Sequence, residues 1–528
     1  MSIRTHLKSG VYQDSVRLMR LSEELGAMPG VRRATVAMGT DANRRNLDES
    51  GMLTGPVADA KADDLMIAVD ASDDATAEAA LARCEELLAQ AARPRGSAAA
   101  GERPPGRSIR AVAAELGGAE IGVISVAGEF ATLEAAHALE AGLHVLLFSD
   151  NVSIEDERDL KQAAVARRRL LMGPGAGTAI LDGVALGFAN NVRRGPIGVV
   201  AGSGTGLQEV TCLVHRGGSG VSQAIGTGGR DLKVAVGGLM TRLGLEMLAG
   251  DPETKVIALL SKPPERAVAD EVLAVARACG KPVVVGFLGG ERTTVEGANL
   301  TFAGTLEDAA LRALQALDGR ADDPFAAPPG ALEAAAAAEA GRLAPGQRYI
   351  RGLYSGGSLC DESLLVLRAF ETPAVPAGLG PVRSNAGGDP ALLLADAWRS
   401  EGHTLVDLGE EEFTRGRPHP MIDLRIRQER LLAEAADPET AAILLDVVIG
   451  YGSHDDPAGG LAPTISQARA AAAADGRYLP VVAHVCGTEL DPQDLQRQEA
   501  TLRSLGVLVA PTNAQAARLA ALIVAGRG

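Results

Sequence analysis

Residues 195–231 read GPIGVVAGSGTGLQEVTCLVHRGGSGVSQAIGTGGRD, and the fold of the chain turns on this stretch. The apolar run 197–201 predicts a buried strand, 202–206 a glycine turn, and 207–216 a helix. A second strand at 221–225 and a second glycine turn at 226–229 follow. A strand that passes through small residues into a helix aims backbone N–H groups, and the positive end of the helix dipole, at whatever lies above the turn. Glycine and serine leave an anion room to reach the main chain. Gly202, Ser203, Gly204, Thr205 and Gly206 therefore either cradle a phosphate or carboxylate or form a tight strand-to-helix loop that binds nothing. The second turn, with Gly228 and Gly229, favours the cradle.

Working outward, strands alternate with helices of about ten to fifteen residues, the mark of βαβ units and a parallel sheet. Downstream strands at 256–260 and 282–287 and helices at 265–279 and 305–317 complete a unit at 191–318. Upstream, residues 108–190 carry strands at 121–126 and 144–148 and helices at 108–116, 132–141 and 154–167. Ser153 and Asp156 have capping-box spacing at the last of these helices. A Gly-Pro-Gly-Ala-Gly turn at 173–177 closes that unit. Residues 1–92 predict a small α/β domain with strands at 31–38 and 65–69, a polar segment at 40–50 and a helix at 75–92. Asn43, Arg44, Arg45 and Asn46 in the polar segment either touch a ligand or form a solvated loop. Residues 93–107 and 319–346 read as linkers, the second holding one alanine-rich helix.

Residues 347–528 repeat the 191–318 unit. Ser355, Gly356, Gly357 and Ser358 stand where 202–205 stand in the first copy. DPETKVIALL answers to DPETAAILLD, KPVVVGFLGGE to LPVVAHVCGTE, and NLTFAGTLEDAALRAL to VLVAPTNAQAARLAAL. Four matches in the same order mean duplication. The second copy is expected to carry an insertion at 403–427. Ligands of such sheets sit outside the carboxyl ends of the strands, so two copies would aim two helix starts at one pocket.

With 528 residues the chain exceeds one core. It is 46% hydrophobic but only 3% aromatic, so its interior is built from Val, Ile, Leu and Ala, as in layered α/β proteins. A net charge of −16 argues against nucleic acid or an anionic membrane as partner. No apolar run reaches the roughly 18 residues of a membrane span. Five widely spaced cysteines without a C-x-x-C fit reduced thiols in a cytoplasmic protein.

The order of motifs resembles the succinyl-CoA synthetase superfamily, and closely its FdrA branch. Residues 124–180 are similar to part of the CoA-binding domain of the synthetase α-subunit. Residues 195–317 are similar to its ligase domain, and 347–528 to the carboxy-terminal domain of the β-subunit. FTRGRPHPMID (413–423) and HVCGTELDP (484–492) carry the resemblance to FdrA. It implies a multi-domain α/β fold: a small N-terminal domain, a Rossmann-like CoA-binding-type domain and two flavodoxin-like domains. It also marks departures. Where the α-subunit has its phosphohistidine motif this chain reads Glu296-Gly297-Ala298-Asn299, and 280–330 holds no histidine. The ATP-grasp domain and the first glycine-rich loop for CoA are missing too. The FdrA resemblance implies a subunit of oxamate carbamoyltransferase, which interconverts oxalurate plus phosphate with oxamate plus carbamoyl phosphate in allantoin breakdown. Two further subunits and Mg2+ are implied with it. The alternatives are an acyl-CoA ligase subunit, dependent on CoA and nucleotide with a partner chain, and a non-catalytic scaffold.

Candidate groups follow. Glu209, early in the helix after the first turn, orients a histidine, holds Mg2+, or only meets the helix dipole. Arg230 forks onto a carboxylate or phosphate, or pairs at the surface. His454, in a loop with Gly452 and Ser453 after an apolar strand, is the first choice for general acid. His484, within a strand, reads as an interior histidine. Arg415, Arg417 and His419 in the insertion clamp an oxalyl carboxylate, face solvent or meet a partner.

Overall fold

The computed structural model describes residues 2–526 apart from 12, 14, 93–107, 296, 298, 371–378, 388–389 and 415–416. The expected linker 93–107 lies outside the described residues. The chain divides into two compact units, residues 1–117 with 411–423, and residues 118–410 with 424–528.

In the first unit, β1 (Ser2–Lys8), α1 (Ser15–Gly26), β2 (Val31–Met38), α2 (Asp41–Glu49), β3 (Leu65–Ala71) and α3 (Asp74–Ala92) build an antiparallel sheet ordered β1-β3-β2. Leu18, Leu21, Leu25, Val36, Ile67, Val69 and Cys84 form its core. The sequence reading misses β1, because an edge strand that buries little carries mostly polar residues. The polar segment 40–50 is α2 and not a loop. Thr40 caps it by accepting from Asn43 N (3.4 Å), Asn43 Nδ2 donates to Met38 O (2.8 Å), and Leu47 anchors its inner face. Helix α4 (Ile109–Leu116) follows, capped by Ser108.

The second unit holds three sheets. The smallest is parallel and ordered β4-β5-β6: β4 (Ile121–Ile124), β5 (His144–Leu147) and β6 (Leu171–Met172), with α5 (Gly128–Glu140) and α6 (Ile154–Ala166). The next strands, β7 (Thr178–Leu181) and β8 (Val184–Gly187), form a hairpin at Asp182-Gly183, whose φ values of 54° and 81° are those of a primed turn. This hairpin belongs to the following sheet, through antiparallel pairing of β7 with β10, and not to the 108–190 unit in which the sequence reading placed it.

That sheet is ordered β13-β12-β11-β9-β10-β7-β8. It comprises β9 (Arg194–Ala201), β10 (Val221–Gly226), β11 (Val256–Ser261), β12 (Val283–Phe287) and β13 (Leu300–Phe302). With them run α7 (Gly204–Arg216), α8 (Leu239–Gly250), α9 (Arg266–Ala278), the short α10 (Arg292–Val295) and α11 (Leu306–Asp318). Helix α12 (Ala331–Ala340) is the alanine-rich helix foreseen in the linker. The last sheet is ordered β15-β16-β14-β17-β18-β19 and is parallel throughout. Its strands are β14 (Tyr349–Tyr354), β15 (Val382–Ser384), β16 (His403–Asp407), β17 (Thr440–Val448), β18 (Val481–Cys486) and β19 (Leu508–Ala510). Its helices are α13 (Gly357–Arg368), α15 (Arg425–Ala436), α16 (Pro457–Ala474), α17 (Leu495–Ser504) and α18 (Asn513–Ala525), while α14 (Glu411–Thr414) belongs to the first unit.

Five parallel strands in each large sheet share one order, β10-β9-β11-β12-β13 and β16-β14-β17-β18-β19. This is the flavodoxin-like 2-1-3-4-5 arrangement, built twice. The match corrects the expected insertion at 403–427. Residues 403–407 are β16, the counterpart of β10, and 425–427 open α15.

Candidate functional site

The order of each large sheet reverses between its first and third strands, and the carboxyl ends of the strands at that switch are where sheets of this kind bind ligands. In the first copy Ser203 follows β9 and Lys262 follows β11. In the second, Ser355 follows β14 and Asp446 lies near the end of β17.

Ser203 caps α7, its Oγ accepting from Gly206 N at 3.0 Å. Gly206 must lack a side chain, since a Cβ there would stand 2.7 Å from that oxygen. Helix α13 starts against α7: Ser358 N donates to Thr205 Oγ1 (3.2 Å), and the Ser203 and Ser358 hydroxyls are hydrogen-bonded. A Cβ on Gly356 would stand 3.0 Å from Thr205 Cγ2, a tight contact that glycine avoids. Gly204 is exposed, while Gly202, Ser203, Thr205 and Gly357 are half-buried. The N–H groups of Gly204 and Thr205, at the first turn, have no intrahelical acceptor.

Two positive helix ends in contact repel, and the chain sets carboxylates around them. Asp446, buried, accepts from Ser355 N (2.9 Å), Gly356 N (2.8 Å) and Ser355 Oγ (3.1 Å), and pairs with the buried Arg427 at 2.9 Å. Ser355 and Gly356 are therefore not an open cradle, because the chain's own carboxylate occupies their donors. Asp407 at the end of β16 lies against Gly357. Burial, then Glu410 and Asp361, push its carboxyl up to about 8, against the hydrogen bond from Gly409 N and the charge of Lys262. Lys262 Nζ reaches Asp361 of α13 at 2.8 Å. The sequence reading missed Asp407, Asp361, Lys262 and Asp446. The signal for Asp446 was present, since a lone acid inside the run AAILLDVVIG needs a buried partner.

The other candidates separate from this point. Gly228 (φ +89°) packs against Gly173 and Pro174, and a Cβ on Gly226 would collide with Thr178 O, so this turn serves close backbone packing and not an anion. Arg230 is held by Glu157 (2.8 Å) and Val152 O (2.8 Å), beside a buried cluster in which Lys161 pairs with Glu157 (2.8 Å) and Asp231 (2.9 Å). It thus holds a carboxylate of this chain instead of a ligand. Glu209 is buried, its Oε2 bonded to His484 Nε2 at 2.9 Å. Burial alone would raise its carboxyl, but His484 and Arg216 hold it below the ordinary value. Glu209 orients a histidine, then, and His484 is the interior histidine expected.

The loop of Gly452, Ser453 and His454 is packed elsewhere. Tyr451 N donates to Ala189 O (2.9 Å), Asn190 Nδ2 to Ile449 O (2.8 Å), and a Cβ on Gly452 would stand 2.9 Å from the Phe188 ring. His454 Nδ1 accepts from Asp456 N (3.0 Å), and its ring lies beside Gly460. None of these contacts brings Gly452, Ser453 or His454 to Ser203 or Ser358. Arg415 lies outside the described residues, and Arg417 and His419 fall in the 411–423 segment of the first unit. Among the described residues no three His, Cys, Asp or Glu side chains are grouped as a metal ion would need, and no helix is long and apolar enough to cross a membrane.

Residues 353–523 match the CoA-ligase family, and residues 1–104 match the family described as AllF, heavy metal-associated domain. Within the latter, burial pushes the Cys84 thiol up to about 12, which disfavours the thiolate that binds metal. The chain is 27% identical over 198 residues to the ADP-forming sulfoacetate-CoA ligase subunit SauD of Bilophila wadsworthia strain 3_1_6, covering 36% of this chain and 65% of SauD. It is 30% identical over 151 residues to the α-subunit of ADP-forming succinate–CoA ligase of Aquifex aeolicus strain VF5, covering 28% and 48%. The chain thus spans less than two thirds of these ligase subunits. These relatives side with the acyl-CoA ligase expectation and give no support to carbamoyl transfer, oxamate or allantoin breakdown. YahF of Escherichia coli strain K12, an uncharacterized protein, is 45% identical over 520 residues, 98% of each chain. Parts of the chain are thus similar to CoA ligases, and the chain as a whole belongs to the family of YahF.

Proposed function

We propose that the chain is the acyl-handling subunit of an acyl-CoA ligase-type enzyme, holding a small carboxylate or its acyl phosphate where α7 and α13 start. The supporting observation is the meeting of Ser203 and Thr205 from one copy with Ser358 from the other. The Thr205 hydroxyl, the serine hydroxyl that is not donating in the Ser203–Ser358 bond, and the N–H groups of Gly204 and Thr205 are donors held in place before any ligand arrives, which is what a developing oxyanion needs. Lys262, after β11, adds a cation that is paired with Asp361 of α13. The donor set fits an anion. No role is assigned to Mg2+. The names of the ligase relatives point to CoA and to a nucleotide. Those relatives are named as subunits, so this reading puts nucleotide handling on a partner chain.

The test is direct binding. Titration calorimetry of the purified chain with phosphate, succinate and sulfoacetate should show binding of at least one. Ser203→Ala and Ser358→Ala should each weaken it by about tenfold or more, the cost of a lost hydrogen bond to a charged group. Unchanged affinity in both variants would remove the site. Nucleotide-independent formation of oxalurate from oxamate and carbamoyl phosphate by the chain with its partners would replace this reading with carbamoyl transfer.

A further inference from the structure

Three carboxylates lie in the buried seam between the two copies, each engaged with an element other than its own. Glu362, on the second turn of α13, accepts through Oε1 from Leu306 N (2.6 Å) and Glu307 N (3.3 Å), at the start of α11. Its Oε2 accepts from Asn513 Nδ2 (2.8 Å), at the start of α18. Glu307 accepts from Gln515 Nε2 (3.1 Å) and from Thr512, the cap of α18. Glu209 stands in α7 where Glu362 stands in α13, seven residues past Gly202 and Ser355 respectively. It reaches across to His484 on β18.

The seam is short of donors. Glu209 Oε1, Asn513 Oδ1 and Gln515 Oε1 are buried and find no N–H or O–H donor. The one imidazole pairs with Glu209 alone, with the Cys486 thiol beside Glu209 and Arg216 acting on it from the end of α7, while Asp323 acts on Glu307 and the buried Tyr354 hydroxyl interacts with Glu362. Unpaired negative charge in such a place is costly, and a bound proton is the remaining remedy.

We propose that Glu362 is a positioning residue that works as a neutral carboxylic acid, keeping the starts of α7 and α13 together at Ser203 and Ser358, and that losing its proton drives them apart. Burial, and then the charges of Glu209 and Glu307, push its carboxyl up to about 8 against the Asn513 and Leu306 hydrogen bonds. The native protein therefore keeps a proton that the unfolded chain releases. The stability from this site is complete below about pH 4.5, falls as the pH rises, and is gone above about pH 8. The effect on ligands rests on the anion site proposed above; the effect on stability does not.

The experiment follows two readouts between pH 6.5 and 9.5: the thermal unfolding midpoint, and affinity for sulfate, whose charge is constant over this range, with phosphate beside it. Glu362→Gln imitates the neutral acid, and Asp407→Asn is the background that removes the other carboxyl titrating near pH 8. In wild type and in D407N the midpoint should fall with pH and anion affinity should drop by about tenfold. In the double variant E362Q/D407N the fall of both should largely disappear, with the neutral-pH values of D407N kept. A double-variant midpoint that falls as steeply as that of D407N would overturn the proposal. If neither anion binds at neutral pH the anion site is wrong, and the midpoints alone still decide the role of Glu362.

Discussion

Asp446 shows how one side chain fixes what a turn can do. Its carboxylate fills the Ser355–Gly356 donors and neutralises Arg427, whose guanidinium is itself buried between Leu353 O and the end of β17. Removing a single partner from such a pair strands the other charge in the interior. Asp446→Ala should therefore cost about 3–5 kcal/mol, read by urea or thermal unfolding, far more than the exposed-pair variant Glu253→Ala beside Arg194. At this scale the sequence was partly legible. It pointed to Ser203, Thr205, Ser358 and Glu209, which do lie on the two facing helices. It also pointed to Arg230 and His454, which the structure puts against other parts of the chain. Residue type names the chemistry a group can perform, but its partner across hundreds of residues is a matter of packing.

At the scale of elements, helix α2 and strand β16 were misread for opposite reasons. The α2 segment, TDANRRNLDES, has few apolar residues, so its periodicity is faint, although Thr40 carries a plain capping signal. Thr40→Ala should lower the stability of the first unit by about 1 kcal/mol, seen as earlier loss of the α2 amides in hydrogen exchange. Strand β16, HTLVD, is short and wholly buried, and such a run is easily lost among the long polar segments that flank it. The Asp182-Gly183 hairpin went unread although Asp-Gly is a turn signal, and its affiliation was out of reach, because a hairpin can add to either neighbouring sheet.

For the second unit as a whole, duplication is the governing fact. The five parallel strands common to the two sheets share an order, and buried hydrogen bonds join the copies: Glu362 to the start of α11, Glu209 to β18, and Glu307 to the start of α18. A half produced alone would expose Glu209 without His484, or Glu362 without Leu306 and Glu307. Residues 347–528 expressed by themselves should be unstable or aggregate, while co-expression with 118–346 should restore a soluble, cooperatively unfolding pair, checked by size exclusion and calorimetry.

The sequence alone determined the α/β class, the strand-to-helix turns and the duplication, because these are written in local apolar periods, glycine placement and repeated motifs that survive without a partner. Only the tertiary structure decided which donors stay open at the paired helix starts, which are taken by Asp446, and that Glu209 meets His484 while Glu362 needs a proton. Those outcomes depend on what is buried beside what, and desolvation and charge act through space between residues 275 positions apart in the Glu209–His484 pair.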